Sequence, residues 1–445
     1  MNETDKENIL GEYKLVLGLE IHAHAKTENK MFCGCSADIW KAEPNSHTCP
    51  TCLGLPGALP VPNLEAIKKT QKLGIALNCE INRDSRFDRK HYFYPDLPKG
   101  FQISQYKQPL CINGWLELDS GNNADIERIH LEEDTAKSFH KKGKTLIDFN
   151  KSGVPLIELV TRPCFTSAED AVDFSKKFHT ILRYLDVSDA DMEKGQFRIE
   201  PNISLRTPEM EEKNELPNYK VEVKNINSFK FMEKAVRAEM KRQRELLDKG
   251  ETPVQENRGY NEYTGKTDPQ RSKEEAHDYR YFPEPDIPPM EFDTEYMEDL
   301  VKGLPELPGQ IITRLTKTHG VPESIAKTLV EKFGKEYVSR FDSIVSLGLS
   351  GDKVASLLVN RKEYQELSSE EFKKRLEDDE KTIDTDLKPI VAEVLKENPQ
   401  ALRDYKKGKE NAAQFLLGMV MRKTKGQANA AQVQELLLKE IKEQM

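Results

Sequence analysis

The sequence predicts an α+β protein that turns all-helical toward its C-terminal end. Three observations carry this. Apolar and polar residues alternate in several segments before residue 230, as they do in half-buried strands. Helical segments fall between these strands without a regular strand–helix–strand beat, which argues against a doubly wound sheet. From about Asp293 the alternation stops, prolines thin out after Pro308, and helical periodicity rich in Lys and Glu takes over. At 445 residues the chain is too long for one core. The division expected is a mixed strand/helix domain over 1–293, a helical domain over 294–386 and a small helical tail over 387–445.

Composition narrows the function. No apolar run reaches membrane-spanning length, so no membrane partner is expected. The first dozen residues are polar and acidic, unlike a signal or transit peptide, and point to a cytoplasmic location. A net charge of −9 argues against a protein that coats DNA, yet allows a local basic patch. The seven cysteines are clustered, not spread as a disulfide framework, which suggests a reducing compartment and a metal site.

The elements follow in order. Lys14–His24 alternates as a strand, with Leu15, Leu17, Leu19 and Ile21 on one face and Glu20, His22 and His24 on the other. A carboxylate and an imidazole two residues apart can reach one cation; alone, the row reads more readily as a solvated face. Cys33-Gly-Cys35 and Cys49-Pro-Thr-Cys52 follow, thirteen residues apart. Two such pairs can supply the four corners of a structural zinc site, and His47 is a spare donor. Asn63 caps a helix running to about Leu77. In residues 87–105, Arg89, Lys90 and Lys99 interleave with His91, Tyr92, Phe93, Tyr94 and Phe101. Such a loop can grip phosphates and stack a base, or it can be a packed connector. A second Tyr/Pro/Asp stretch at 281–289 echoes it.

Residues 126–134 alternate again, placing Glu133 in register with Ile129 and Leu131, and Arg128, His130 and Glu132 opposite. Val154–Val160 is apolar except for Glu158. A buried carboxylate is costly unless a cation offsets it. Glu133 and Glu158, with the Glu20/His22 row, therefore suggest one shared Mg²⁺ or Mn²⁺. A helix over 166–185 opens on Ser167 and Asp170, strands follow at 197–205 and 220–227, and a helix over 228–249 stops at Gly250. Gly265-Lys266-Thr267 and Gly143-Lys144-Thr145 look like P-loop ends, but the upstream glycine is Tyr260 in one and Ser138 in the other. ATP, if used, needs another arrangement. The acidic run 377–380 reads as a linker. In residues 405–445, eight Lys and Arg against four Asp and Glu give +4, a candidate contact for nucleic-acid backbone.

Several stretches together resemble one family: G-L-E-I-H (18–22), the C-G-C…C-P-T-C-L-G-L-P-G block (33–57), the loop 87–105, H-L-E-E-D-T-A-K-S (130–138), V-P-L-I-E-L-V (154–160), P-N-I-S-L-R (201–206), V-K-N-I-N-S-F (223–229) and D-Y-R-Y-F-P-E-P-D (278–286). The chain resembles the B subunits of glutamine-dependent aspartyl/glutamyl-tRNA amidotransferases over nearly its whole length. The resemblance implies a catalytic cradle with a zinc-ribbon-like insert, then a helical domain and a tRNA-binding tail. It implies an ATP-dependent ligase that phosphorylates the side-chain carboxylate of Glu-tRNA(Gln) or Asp-tRNA(Asn). Ammonia from a glutaminase A subunit then displaces phosphate, and a small C subunit completes a heterotrimer. It implies that Glu20, His22, Glu133 and Glu158 hold the cation, with Glu133 also taking a proton from ammonia. Lys90 and Tyr92 would position phosphate and the aminoacyl end, and Asn202, Lys224, Asn225 and Arg280 would contact ATP or carboxylate. Cys33, Cys35, Cys49 and Cys52 would hold Zn²⁺. The competing reading is a zinc-ribbon tRNA-binding scaffold with no chemistry of its own.

Overall fold

The computed structural model describes residues 9–224, 226–272, 279–383, 387–406, 411–424, 428 and 430–443. Its contacts divide the chain into two compact units, Met1–Ile311 and Ile312–Met445.

The first unit holds all the described strands: β1 (Lys14–His24), β2 (Glu80–Ile81), β3 (Asp84–Ser85), β4 (Asp88–His91), β5 (Phe101–Ser104), β6 (Cys111–Glu117), β7 (Asn123–Glu133), β8 (Lys137–Lys141), β9 (Lys144–Asp148), β10 (Pro155–Thr161), β11 (Phe197–Arg206), β12 (Val221–Lys224), β13 (Glu256–Asn261), β14 (Lys266–Ser272), β15 (Phe282–Pro283) and β16 (Met290–Glu291). Nine of them form one sheet in the order β14-β13-β12-β11-β1-β10-β7-β6-β2. β1 lies at its centre, antiparallel to β10 on one side and β11 on the other.

One face of the sheet is apolar. Leu17, Leu19, Ile21, Ile129, Leu131, Ile157, Leu159, Ile199 and Ile203 are all buried in one core. That core includes residues of α1 (Leu64–Ala76), α2 (Ala168–Tyr184) and α3 (Phe229–Leu247), among them Phe174, Phe178 and Met232. Each helix starts at a side-chain cap. Asn63 accepts from Glu65 N–H and Ala66 N–H, Ser167 from Asp170 N–H, and Ser228 from Phe231 N–H. The apolar face is thus covered by helices, and the polar face carries Glu20, His22, Glu158, His130, Glu132, Arg198 and Glu200.

Both P-loop lookalikes are hairpin turns. Gly143 (φ +74°) joins β8 to β9, and Gly265 (φ +65°) joins β13 to β14, where only a residue tolerant of the left-handed region turns so tightly. The two Tyr/Pro-rich stretches also come together, because β15 pairs with β4 and β4 with β5.

The second unit is helical throughout its described residues, as the loss of alternation implies. The acidic run expected as a linker instead lies inside the helix Ser369–Ile383, whose alternating Lys and Glu residues support helix as readily as loop. Toward its C-terminal end, Val391, Val394, Leu416, Val420, Val433, Leu437 and Ile441 form a small core of their own.

Candidate active site

The site is built by register. β1 sets His22 against Glu158 of β10 and against Arg198 of β11, and β10 sets Glu158 against His130 of β7. Cross-strand partners share a face, so Arg198, His22, Glu158 and His130 form a row across four strands. Glu20 stands opposite Glu200 in the next row. His22 Nε2 lies 3.2 Å from Glu158 Oε2, 3.7 Å from Glu20 Oε1 and 3.8 Å from Glu132 Oε1. His130 Nε2 lies 3.6 Å from Glu158 Oε2.

Three triads place their donor atoms within 4.8 Å of one another: Glu20/His22/Glu158, His130/Glu132/Glu158 and Glu20/Glu200/Glu222. Ligands on opposite sides of one Mg²⁺ lie about 4.2 Å apart, so small side-chain rotations close such a triad on an ion. Carboxylate oxygens with imidazole suit Mg²⁺ or Mn²⁺. Both His22 and His130 leave Nδ1 buried with no hydrogen-bond partner among the described residues, so the protein does not saturate these rings.

The electrostatics match a cation site. Burial, then the charge of Glu158, pushes Glu20 up to about 7. Burial opposes a charged His22, but the hydrogen bond and charge of Glu158 and the charge of Glu20 outweigh it and push the ring up to about 9. Burial pushes His130 down to about 4, keeping it neutral and able to ligate. Burial also acts against an ionised Glu158, yet the neighbouring imidazoles and Lys90 hold it well below the usual carboxylate range. These carboxylates are mutually repelling and crowded, and added positive charge relieves them.

Lys90, on β4, sits in the negative field of Glu132 and Glu158 with its Nζ 5.0 Å from the Tyr279 ring centre. Tyr92 donates from its hydroxyl to Gln102 Oε1 (3.1 Å). Asn202 stands opposite Gly18 and lines, with Glu20, Arg128 and Ser204, a cavity of about 480 Å³. Lys224 bridges Glu200 (2.7 Å) and Glu222 (2.8 Å). Arg280 is exposed, in the left-handed region at φ +41°, between Tyr279 and Tyr281. Asn225 lies outside the described residues. His24 does not join the cluster. Its Nε2 lies 2.6 Å from Asp134 Oδ2, and Asp134 is also paired with Lys151.

Glu133 is the main departure from the sequence reading, which groups it with His22 and Glu158. It stands opposite Pro155, three residues along from the His130–Glu158 pair, an odd step, and so faces the other side of the sheet. There Lys99 Nζ approaches its two oxygens at 2.6 and 2.7 Å, and Ile103 N–H donates to Oε1 (3.0 Å). With Lys99, Arg89, Glu284 and Cys52 it lines a separate cavity of about 230 Å³. The carboxylate that points into the cation cluster is its neighbour Glu132, which also accepts from Ser104 Oγ (3.2 Å). The alternation of 126–134 contains this answer, since His130 and Glu132 share a face. The cross-strand partner that selects the face is not visible in one segment.

Cys33, Cys35, Cys49 and Cys52 bring their sulfurs within 4.8 Å of one another, and all are free thiols. The cluster can hold a structural metal ion. Cys49 N–H donates to Cys52 Sγ (3.1 Å). A hydrogen bond from Cys33 is the first of several interactions that lower the Cys52 thiol to about 4. Lys30, buried at 1% exposure, places Nζ 3.7 Å from Cys52 Sγ and donates to His47 O (2.8 Å). The four donors are all cysteine sulfurs, and His47 is not among them. The sequence reading passes over Lys30, as it does Lys99 as a partner of Glu133, because a lone lysine carries no pattern.

Residues 15–298 match the model of the GatB/GatE catalytic domain, and residues 352–441 match that of the GatB domain. The sheet with its polar row is therefore a catalytic domain of the GatB/GatE class, followed by a GatB-type tail. The chain is 40% identical to the B subunit of the aspartyl/glutamyl-tRNA(Asn/Gln) amidotransferase of Thermodesulfovibrio yellowstonii, over 97% of this chain and 100% of that one. It is 41% identical to the protein of the same name from Caldanaerobacter subterraneus subsp. tengcongensis, over 97% and 99% of the two chains. The Thermotoga maritima relative is 40% identical over 94% and 96%. The chain belongs to the family of aspartyl/glutamyl-tRNA(Asn/Gln) amidotransferase B subunits.

Proposed function

We propose that this chain activates and amidates the side-chain carboxylate of Glu-tRNA(Gln), Asp-tRNA(Asn) or both. A carboxylate resists attack by ammonia, so it is first made an acyl phosphate. Its oxygen attacks the γ-phosphorus of ATP and ADP leaves. Ammonia, delivered by a glutaminase A subunit held with a small C subunit, then attacks the acyl carbon and phosphate leaves. The observation that carries this reading is the split at the end of β7, where Glu132 joins the cation cluster and Glu133 faces the second cavity with Lys99.

Glu20, His22, Glu132 and Glu158 are the residues to hold Mg²⁺ or Mn²⁺; the ion would displace the proton that His22 otherwise carries and, when bound, would neutralise charge on the transferring phosphoryl group. Lys90 adds a fixed cation beside them for the substrate carboxylate or phosphate. The cavity beside Glu20, with Asn202 on its wall, has room for the nucleoside end of ATP. Lys224 holds Glu200 and Glu222 in place beside Glu20, and Arg280 and Tyr92 border the route of the aminoacyl group. Glu133 takes the proton that nitrogen loses as the C–N bond forms.

Reconstitution with both partner subunits tests this. Phosphate release should require the misacylated tRNA, and amide product should further require glutamine or ammonia. A scaffold without chemistry gives neither, and that outcome restores the competing reading.

The cysteine cluster is assigned to Zn²⁺ in a closed structural site. Cys52→Ser is expected to bring zinc to background in elemental analysis and to lower the melting temperature, because metal binding there is part of folding free energy. Full zinc content in the variant would remove Cys52 from the ligand set.

A further inference from the structure

We propose that the β8–β9 hairpin is an RNA-binding arm that guides the 3′ end of the tRNA toward the site, an inference that rests on the function proposed above. The arm starts four residues after Glu133, so Lys137 lies within about 14 Å of it along the chain. It is a two-stranded sheet paired with no other described strand. Residues 139–146 are all exposed.

Residues 137–144, K-S-F-H-K-K-G-K, carry four lysines and no acid, and the arm's one acid, Asp148, stands at its base opposite Lys137. None of Lys137, Lys141, Lys142 and Lys144 is ion-paired with a described residue, whereas Lys99, Lys151 and Lys224 nearby all are. Two local choices work against the free hairpin. Lys141 stands directly opposite Lys144, and like charges so placed repel. Lys142 occupies the left-handed region at φ +47°, where Asn or Asp is the favoured residue. Local preference overridden at two adjacent positions marks a functional surface, and an anion relieves the first conflict.

The face that carries Lys141 and Lys144 also carries Phe139 opposite Leu146. Lys137 Nζ lies 5.0 Å from the Phe139 ring centre. Cations around an exposed ring form a platform on which a base or ribose stacks while lysines hold phosphates. The tRNA 3′ end is single-stranded and must enter here to present its aminoacyl group. The base of the arm is fixed, which a guiding surface needs. Asn45 N–H donates to Asp148 Oδ1 (3.0 Å), Asn45 Nδ2 to Ile147 O (3.3 Å) and Phe149 N–H to Asn45 Oδ1 (2.8 Å). Asn45 belongs to the loop between the two cysteine pairs, so the ribbon braces the arm.

The test uses the assembled heterotrimer carrying Lys141→Ala/Lys142→Ala/Lys144→Ala, and separately Phe139→Ala. Binding of misacylated tRNA is measured across a salt series. The triple variant should bind more weakly, with the slope of log K against log salt reduced by about 2, roughly 0.7 for each phosphate no longer neutralised. Phe139→Ala should weaken binding with the slope retained. Amide formation at saturating tRNA should be unchanged in both, and the melting temperature of the triple variant should not fall, since a repulsive pair is removed. Wild-type affinity and slope in the variants overturn the arm while leaving the proposed function standing. Failure of the wild-type complex to bind tRNA at all overturns both. Loss of heterotrimer assembly in the variants marks the hairpin as a protein-docking surface and also overturns the proposal.

Discussion

Glu158→Gln is expected to reduce misacylated-tRNA-dependent phosphate release by about 10²–10³-fold or more, the scale on which removing one charge-stabilising group from a transition state acts. Glu158 is shared by both imidazole-containing triads, and it touches both rings. Gln keeps its shape and loses its charge. The cation then loses an anionic ligand, and His22 and Lys90 lose the carboxylate that faces them. Removing one partner from a buried charged network also costs stability, on the order of 3–5 kcal/mol. A melting curve and a tRNA-binding measurement must therefore accompany the assay, and the catalytic loss should persist at a temperature where the variant is folded. His130→Gln acts through the orientation of Glu158 and should cost less, about 10–100-fold. Full phosphate release in Glu158→Gln would detach the cluster from the activation step.

The contrast between Glu158 and Glu133 shows what a sequence can reveal of such a site. The central strands are legible because one face of each is packed by helices, so alternation is clear in β1 and, past the register shift after Ile126, in β7 from Arg128 to Glu133. Glu20 and His22 fall on one face by counting alone. The cysteine cluster is legible because its ligands are local. Choosing among acids is harder. Glu132 and Glu133 are both buried, at 2% and 3% exposure, so burial cannot say which one meets the cation. That depends on the pairing of β7 with β10, a contact between segments about 30 residues apart. The partners that balance each acid are equally remote in pattern, since Lys99 comes from a loop and Lys90 from a four-residue strand. The hairpins β8–β9 and β13–β14 are hidden because their glycine-lysine turns resemble nucleotide loops, and the strands of the first, being largely exposed, show little alternation.

Glu133→Gln should separate the two half-reactions. Phosphate release with misacylated tRNA is expected to continue, because the acyl phosphate still forms and water consumes it. Amide formation should fall by about 10²–10⁴-fold, the range that a general base contributes. The physical reason is the face on which Glu133 sits. Its carboxylate is outside the cation cluster and is held by Lys99 and Ile103 N–H at the second cavity. Gln retains an acceptor for Ile103 N–H and cannot take a proton. It leaves Lys99 without its anion, so Lys99→Met/Glu133→Gln is the control for stability. The double variant should recover the melting temperature and not the amide. Binding of tRNA should change little in either, since no RNA contact is assigned to this pair. Parallel loss of phosphate release in Glu133→Gln would instead join Glu133 to Glu158 in the activation step. The alternation that sends Glu132 and Glu133 to opposite faces would then no longer divide the chemistry.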